Sequence, residues 1–528
     1  MFRPWVAVVP VRLVDGVSEC FLAKRSRQAA TFAGQWCFVG KRVDQADSPP
    51  LPAPAAGGGP GGHRAAAQAV THAAWEALVA YAGLWPLRQS DARPQGATLA
   101  RRQAARRGLL TRSSSFEQAL ATAGIAADEL AAPTVLGGFR APSYVARPVD
   151  VILVGHRAPA AAPASVDGRA YVDGAFRPVA DWRAEWLGGR SDLSPMEAEL
   201  LAALAAAEPP ASTGESPSWE PVRRLWQLRH PGDWGQPSWT EPARPSAVSP
   251  TLEALPVKSP TLAPATHTNC YLLGRSQLAV VDPGTPDADQ QALLLQWLDG
   301  RIGQGGRLEE IWLTHHHADH IGAAALLAER YGARVRAHRH TARALMGRVR
   351  VDELVEDQQI LSLGELSATA LFTPGHAVGH LCFFEPIGQQ LLSGDHVLGL
   401  GTSLVVPKPD GDMAAYMANL ERLLALPARW LFPGHGPPAA VGLDRVRDTL
   451  AQRRAREQRL LQLVDEAAAP LAGPELLARL YRGIAPAQRQ LAALSLAAHV
   501  EKLLAEGRLA QQHDAAGQAR LVRGPRFA

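Results

Sequence analysis

The sequence lacks long apolar runs, paired cysteines and a strong charge of either sign. No stretch has the roughly 20 apolar residues that a helix needs to cross a bilayer. The apolar run at residues 5–10 is too short for a secretory signal peptide and lacks a small-residue cleavage site. We therefore expect a cytoplasmic protein with no membrane partner.

The cysteine pattern and the charge balance exclude further classes. The four cysteines show no CxxC spacing, which predicts reduced thiols and no cysteine-bound metal. With 54 basic and 50 acidic residues the net charge is only +4, which is weak evidence for a nucleic-acid partner. A chain of 528 residues is too long for one hydrophobic core and predicts two to four domains.

Metal-binding side chains are concentrated in one short segment. Residues 314–320 read Thr-His-His-His-Ala-Asp-His, after the apolar run Ile311–Leu313 and before a helical pattern over Ile321–Arg330. This places the histidines on a strand-to-helix turn, where α/β proteins commonly carry their sites. Imidazole nitrogens and carboxylate oxygens suit zinc and related ions. The segment therefore predicts half of a dinuclear metal site.

Three more candidate ligands follow in the chain, each after an apolar, strand-like run. They are His376, Asp395 and His435, and each has a glycine directly before it. Glycine allows a sharp turn and a close backbone approach without a Cβ clash. An earlier aspartate, Asp282, follows the apolar pair Val280 and Val281.

This succession of motifs, over residues of about 265 to 440, resembles the metallo-β-lactamase superfamily. The resemblance implies two divalent metal ions, zinc with manganese or iron as alternatives. It assigns His315, His317 and His376 to one ion, and Asp319, His320 and His435 to the other. It also implies that Asp395 bridges the ions and that Asp282 orients a ligand histidine. His316, His380 and His396 fall at positions that are not ligands and are expected to pack beside the site.

The ligand set predicts a hydrolase. Two cations that share a water lower its pKa from about 16 towards 7 and polarise the group under attack. The resemblance implies that Asp319 is catalytic and orients the hydroxide. The favoured substrate is a small thioester or ester. The alternative is single-stranded RNA, cleaved by a metal-dependent endoribonuclease, for which Arg339, Arg343, Arg348 and Arg350 are the candidate positive groove. The oligomeric state is not predicted.

The first part of the chain resembles a Nudix domain. Strand patterns over residues 6–13 and 19–25 precede a helical pattern over residues 65–84. The family has magnesium-binding glutamates where this helix has Ala77, Ala80 and Tyr81, and it has an arginine where Glu76 stands. A single carboxylate is too few for a hard cation. We expect a Nudix-like fold without activity, kept as a scaffold or binding module.

The last part of the chain is predicted to be helical. Helical patterns over residues 444–467, 474–481 and 489–506 resemble the winged-helix domain of one metallo-β-lactamase subgroup. The third helix carries little positive charge, so nucleic-acid binding is not favoured. The predicted class is α/β: a metallo-β-lactamase αββα sandwich at 241–440, a Nudix-like α+β domain at 1–240 and a winged-helix-like domain at 441–528.

Overall fold

The computed structural model describes residues 5–26, 35–42, 70–71, 73–86, 99–126, 130–131, 134–140, 150–160, 164–187, 193, 195–207, 219–229, 245–399, 401–439, 442–483 and 488–524. The chain forms two compact units, Met1–Pro242 with Val248–Pro250 and Ala243–Ala247 with Thr251–Ala528. The three predicted domains stay a prediction. Within the described ranges, no helix has the length and apolar character to span a bilayer.

A mixed seven-stranded sheet forms the centre of the first unit. Its strands are β1 (Trp5–Val14), β2 (Val17–Arg25), β3 (Trp36–Cys37), β4 (Val39–Arg42), β5 (Thr134–Arg140), β6 (Asp150–Arg157) and β7 (Tyr171–Pro178). The order is β3-β2-β1-β6-β5, with β4 paired to β1 and β7 to β2. Only the β1–β6 pair is parallel among these described pairings.

Helices cover both faces of this sheet. They are α1 (the π-helical turn Leu78–Ala82), α2 (Leu99–Leu110), α3 (Phe116–Ala123), α4 (Val179–Leu187), α5 (Pro195–Ala206) and α6 (Trp219–Arg229). Because side chains alternate along a strand, Val6 and Val8 of β1 pack with α1. Val9 and Val11 join the core that contains residues of α4 and α5.

The positions that would carry glutamates in an active Nudix helix are packed into the protein. Ala77 and Ala80 are buried, at 0% and 4% exposure. Glu76 forms an ion pair with Lys41. Part of the predicted helix, residues 65–69 and 72, lies outside the described residues. Two buried alanines and one paired carboxylate offer few oxygen ligands to magnesium.

Replacing Glu76 should therefore leave catalysis unchanged. We expect Glu76→Gln to alter the turnover of a hydrolysed substrate by less than about twofold, because Glu76 is already paired with Lys41 and belongs to the other compact unit. Steady-state kinetics of both proteins would measure this. Magnesium-dependent cleavage of a diphosphate that disappears in Glu76→Gln would show that the Nudix-like part is active.

The second unit contains two large sheets. The strands are β8 (Ser246–Ser249), β9 (Leu252–Lys258), β10 (His267–Gly274), β11 (Gln277–Val281), β12 (Arg307–Trp312), β13 (Arg334–Ala337), β14 (Glu353–Leu354), β15 (Ile360–Leu363), β16 (Leu366–Phe372), β17 (Leu381–Glu385), β18 (Gln390–Gly394) and β19 (Trp430–Pro433). The first sheet has the order β14-β13-β12-β11-β10-β9-β8 and the second the order β15-β16-β17-β18-β19.

The two sheets face each other and carry helices on their outer faces. Trp312 of β12 meets Phe383 of β17 at a ring distance of 5.1 Å. The helices of this unit are α7 (Ala288–Gly303), α8 (Ala318–Ile321), α9 (Ala324–Tyr331), α10 (Arg339–Ala344), α11 (Met413–Leu423) and α12 (Gly442–Asp465). Alternate residues of the first sheet pack against α7 and α9, and alternate residues of the second sheet pack against α11 and α12. This part of the chain is an α/β structure with mixed sheets in four layers.

The end of the chain packs as a small helical group with a β-hairpin. Helices α13 (Gly473–Leu480) and α14 (Arg489–Ala505) precede the antiparallel strands β20 (Leu509–His513) and β21 (Ala519–Arg523). Leucines of α12, α13 and α14 share one core with Leu509 and Leu521. The predicted helices are present, and their assignment to a winged-helix domain stays a prediction.

Candidate metal centre

Every candidate ligand lies just beyond the end of a strand in the second unit. The 315–320 segment follows β12, His376 follows β16, Asp395 follows β18 and His435 follows β19. Strands of two facing sheets bring these ends to one edge of the sandwich. Residues up to 120 positions apart in the sequence are therefore neighbours in space, as loops at strand ends allow.

Three histidines form the first group. Nε2 of His315 lies 2.9 Å from Nδ1 of His317, and Nε2 of His376 lies 3.3 Å and 3.1 Å from these two atoms. These are the residues assigned by sequence to the first metal ion. The structure brings all three together, and one ligand atom from each lies within 4.8 Å of the others.

The second group contains the other three predicted ligands. Nε2 of His435 lies 3.3 Å from Nε2 of His320 and 3.2 Å from Oδ2 of Asp319. His320 is fully buried and His435 is almost so. The group thus combines two imidazole nitrogens with one carboxylate oxygen, a donor set that suits a divalent transition metal.

Asp395 lies between the two groups. Its Oδ1 is 3.4 Å from Nε2 of both His320 and His435, while its Oδ2 is 3.7 Å from Nε2 of His376. Oδ1 is buried and has no hydrogen-bond partner. A buried carboxylate oxygen without a donor is costly unless a cation or proton satisfies it.

In each of three rings, the nitrogen that points away from the other candidate ligands is held by a hydrogen bond, which fixes the tautomer. Nδ1 of His376 donates to the Leu404 carbonyl at 2.7 Å, and Nδ1 of His435 donates to the His267 carbonyl at 2.8 Å. Nε2 of His317 faces the Asp410 carboxylate at 3.1 Å. Because a neutral imidazole has one N–H, the nitrogens that face the centre carry lone pairs.

Asp282 fixes two more rings. Its carboxylate accepts hydrogen bonds from Nδ1 of His320 at 2.8 Å and from Oγ1 of Thr314 at 2.7 Å. Because the Thr314 hydroxyl donates its proton to Asp282, the Thr314 oxygen accepts a hydrogen bond from Nδ1 of His315 at 2.9 Å. When all five rings are neutral, their lone pairs therefore point to one centre, which fits bound cations.

Small residues allow the strand ends to come this close. A Cβ on Gly434 would lie 2.5 Å from Oδ1 of Asp395 and 2.8 Å from Cε1 of His320. Gly394 has φ +47°, and a Cβ there would lie 2.8 Å from Nε2 of His380. Any larger side chain would displace the candidate ligands.

The electrostatics of the two groups differ. Burial holds the pKa of His376 at about 4, and it lowers that of His315 well below its usual value. Burial also acts to lower the pKa of His435, but the Asp395 and Asp319 carboxylates outweigh it and raise that pKa to about 9. At neutral pH His315 and His376 are therefore uncharged, whereas His435 in the group with Asp319 holds a proton that a metal would displace.

The other histidines of the motifs lie beside the centre. Nε2 of His380 accepts a hydrogen bond from the Asp395 backbone at 3.2 Å. His396 is buried against the ring of Tyr416, at 4.6 Å between centroids. His316 lies 3.6 Å from Asp410.

Asp410 is a residue that sequence reasoning missed. It contacts both His316 and His317, and these three also form a group with metal-binding potential. The loop around it, Lys408-Pro409-Asp410-Gly411-Asp412, contains no histidine. No local signal in the sequence distinguishes Asp410 from other surface aspartates.

Removing the Asp410 charge should weaken metal binding. Its carboxylate fixes the His317 tautomer, and loss of such a partner typically costs about 10- to 100-fold in metal affinity. We expect Asp410→Asn to lower zinc affinity by this amount, measured by competition with a chromophoric chelator. Asp412→Asn is the matched control, since Asp412 caps α11 and contacts none of the candidate ligands. Equal affinity in Asp410→Asn and the unaltered protein would contradict the assigned role.

A cavity of about 580 Å³ opens over the candidate ligands. Its floor includes His317, Asp319, His376, Asp395 and His435. The loop 260–265 forms one wall, and residues of α12 and α14 form another. A volume of this size accommodates a small molecule.

The fold and this centre define an α/β protein with clusters of His and Asp side chains that could hold metal ions. Residues 263–435 match the family described as "Metallo-beta-lactamase superfamily". Two of the chain's curated relatives carry the names of hydrolases.

Three relatives show which proteins it is similar to. An atrochrysone carboxyl ACP thioesterase from Cryptosporiopsis sp. is 28% identical over 42% of this chain and 64% of the relative. A lactamase-like protein from Penicillium aethiopicum is 33% identical over 37% of this chain and 60% of the relative. A hydroxyacylglutathione hydrolase from Maricaulis maris is 34% identical over 29% of this chain and 54% of the relative. The chain thus spans less than two thirds of the length of these curated relatives.

A solved structure also resembles this chain. The crystal structure of a metallo-beta-lactamase family protein from Thermus thermophilus is 28% identical, covers 52% of this chain and 100% of its own, and has a TM-score of 0.43.

Proposed function

We propose that this protein hydrolyses a small thioester, using two divalent metal ions bound by seven residues. These residues are His315, His317, Asp319, His320, His376, Asp395 and His435. The observation that carries the proposal is that hydrogen bonds orient five histidines so that their neutral rings point lone pairs to one centre, beside an unsatisfied buried carboxylate oxygen. Zinc suits this donor set, and manganese or iron are alternatives.

The bound ions would supply a nucleophilic hydroxide at neutral pH and polarise the substrate carbonyl. Asp319 is positioned to orient the attacking water, because its Oδ2 lies at the cavity floor 3.2 Å from His435. Water adds to the acyl carbon, the C–S bond breaks, and the thiol leaves with a proton as the carboxylic acid forms. No serine or cysteine nucleophile is required, and all four cysteines are buried.

The thioester is favoured by the chemistry of the relatives. Two of the relatives above are named for thioester substrates, an acyl carrier protein conjugate and hydroxyacylglutathione. The cavity is small and is partly lined by apolar side chains such as Leu398, Leu404 and Leu491. Such a lining fits an acyl group.

The observations do not favour the RNA alternative. Arg339 and Arg350 form ion pairs with Glu356 and Asp352. Arg348 donates to the His316 carbonyl. Among the residues that line the cavity, none comes from this arginine set. The arginines predicted to form a positive groove are thus paired elsewhere or lie outside the cavity over the candidate ligands.

A parallel assay tests the proposed function. The zinc-loaded protein would be offered S-acetylglutathione, a phosphodiester such as bis(p-nitrophenyl) phosphate, and single-stranded RNA under identical conditions. We expect thioester hydrolysis with a kcat/KM of about 10⁴ M⁻¹s⁻¹ or more, and much slower turnover of the other two. Rapid RNA cleavage without thioester hydrolysis would overturn the proposal in favour of the nuclease.

A further inference from the structure

Two arginines on one face of α12 form a positively charged wall of the cavity. Arg453 and Arg456 are three positions apart on this helix, and both line the cavity. Arg453 is only 4% exposed. Its guanidinium donates to the Ser403 carbonyl and lies 5.3 Å from the ring centroid of Tyr416. A buried guanidinium is normally paired with a carboxylate.

Nearby carboxylates are already engaged. Glu457, the next acidic residue on α12, pairs with Lys502 and His499. The carboxylates among the described residues that line the cavity are Asp319, Asp395 and Asp410, and all three face histidines of the metal centre. Within the described parts of the chain, neither Arg453 nor Arg456 has a carboxylate at ion-pair distance. The wall therefore keeps its positive charge.

A tyrosine hydroxyl on the same wall also lacks a partner. Tyr481 lines the cavity, its ring lies 4.8 Å from the Arg456 guanidinium, and its hydroxyl oxygen is buried without a hydrogen bond. The arginines and this hydroxyl are all hydrogen-bond donors. Donors that converge on a cavity without a carboxylate partner suit an anionic ligand group.

We infer that this wall, formed by Arg453, Arg456 and Tyr481, binds an anionic group on the thiol portion of the substrate. The inference rests on the proposed thioester hydrolysis. It narrows the substrate class to thioesters whose leaving thiol carries a phosphate or a carboxylate. The acyl carbon lies at the metal centre, and the charged end of the thiol reaches the helical wall of the same cavity.

Paired substrates that share one acyl group test this inference. Acetyl-coenzyme A carries phosphates, S-acetylglutathione carries carboxylates, and S-acetyl-N-acetylcysteamine is neutral. We expect the protein to prefer one of the anionic thioesters over the neutral one in kcat/KM. In Arg456→Met this preference should fall about 10- to 100-fold, the usual effect of losing a hydrogen bond to a charged group. The thioester whose kcat/KM falls most in Arg456→Met shows whether the wall binds a phosphate or a carboxylate.

Two further variants separate recognition from folding. Tyr481→Phe removes only a hydroxyl without a partner, so we expect a normally folded protein whose preference falls about 5- to 10-fold. Arg459→Met is the matched control on α12, because Arg459 pairs with Glu466 and does not line the cavity. Its preference should stay within about twofold of the unaltered protein.

The outcomes distinguish this inference from the function on which it rests. If all three thioesters are hydrolysed and the preference is unchanged in Arg456→Met and Tyr481→Phe, the anion wall is wrong and thioester hydrolysis stands. If the zinc-loaded protein hydrolyses none of them, the proposed function is wrong and this inference falls with it.

Discussion

Asp395→Ala should lose both metal ions and at least about 1000-fold of its hydrolytic rate. The reason is the position of this one carboxylate. Oδ1 faces His320 and His435 of one group, and Oδ2 faces His376 of the other. Without it, each cation loses a ligand and the two cations repel each other without a shared negative charge. The metal content found by elemental analysis should fall from about two equivalents per chain to almost none.

The control for this experiment is another aspartate of the same unit. Asp299 pairs with Arg330 and Tyr331 at the surface and contacts none of the candidate ligands. Asp299→Ala should keep the full metal content and rate. Circular dichroism of both variants would exclude unfolding as the cause. Two equivalents of tightly held metal in Asp395→Ala would contradict the bridging role.

Acidification should release the two ions in sequence, with the ion near Asp319 leaving first. The pKa of His435 is raised to about 9, and that of His320 well above its usual value, because the neighbouring carboxylates outweigh burial. A metal must displace these protons, so its affinity falls as pH drops below about 9. The pKa of His376 is about 4 because the ring is buried. Protons therefore compete with a metal for His376 only near that pH.

The expected size of this effect follows from proton competition. Each displaced proton lowers the apparent affinity about 10-fold per pH unit. Between pH 8 and pH 6 the affinity for the second ion should fall at least about 100-fold, and more than the affinity for the first. Metal content measured by elemental analysis in a zinc buffer of fixed free concentration would show a step from two equivalents to one. Simultaneous loss of both ions between pH 8 and pH 6 would contradict the assignment of the displaced protons to His320 and His435.

The local pattern of the sequence was sufficient to choose the candidate ligands. A dense His and Asp segment on a strand-to-helix turn, and Gly-His or Gly-Asp pairs after apolar runs, are short-range signals. The structure places all seven candidates in two adjacent groups around Asp395. Their roles as ligands stay predictions that the experiments above test. The same local reasoning located the strands and the three C-terminal helices, because their periodicities are also short-range.

Only the tertiary structure decided which residues surround the ligands. Asp410 lies 93 positions from His317, and Arg456 and Tyr481 come from separate helices. Their side chains are ordinary surface types, and nothing beside them in the sequence marks a site. Distances between remote segments depend on how the sheets and helices pack, which no local pattern encodes. The sequence alone therefore indicated the candidate metal ligands, while packing determined the hydrogen bonds that orient them and the charge of the cavity wall.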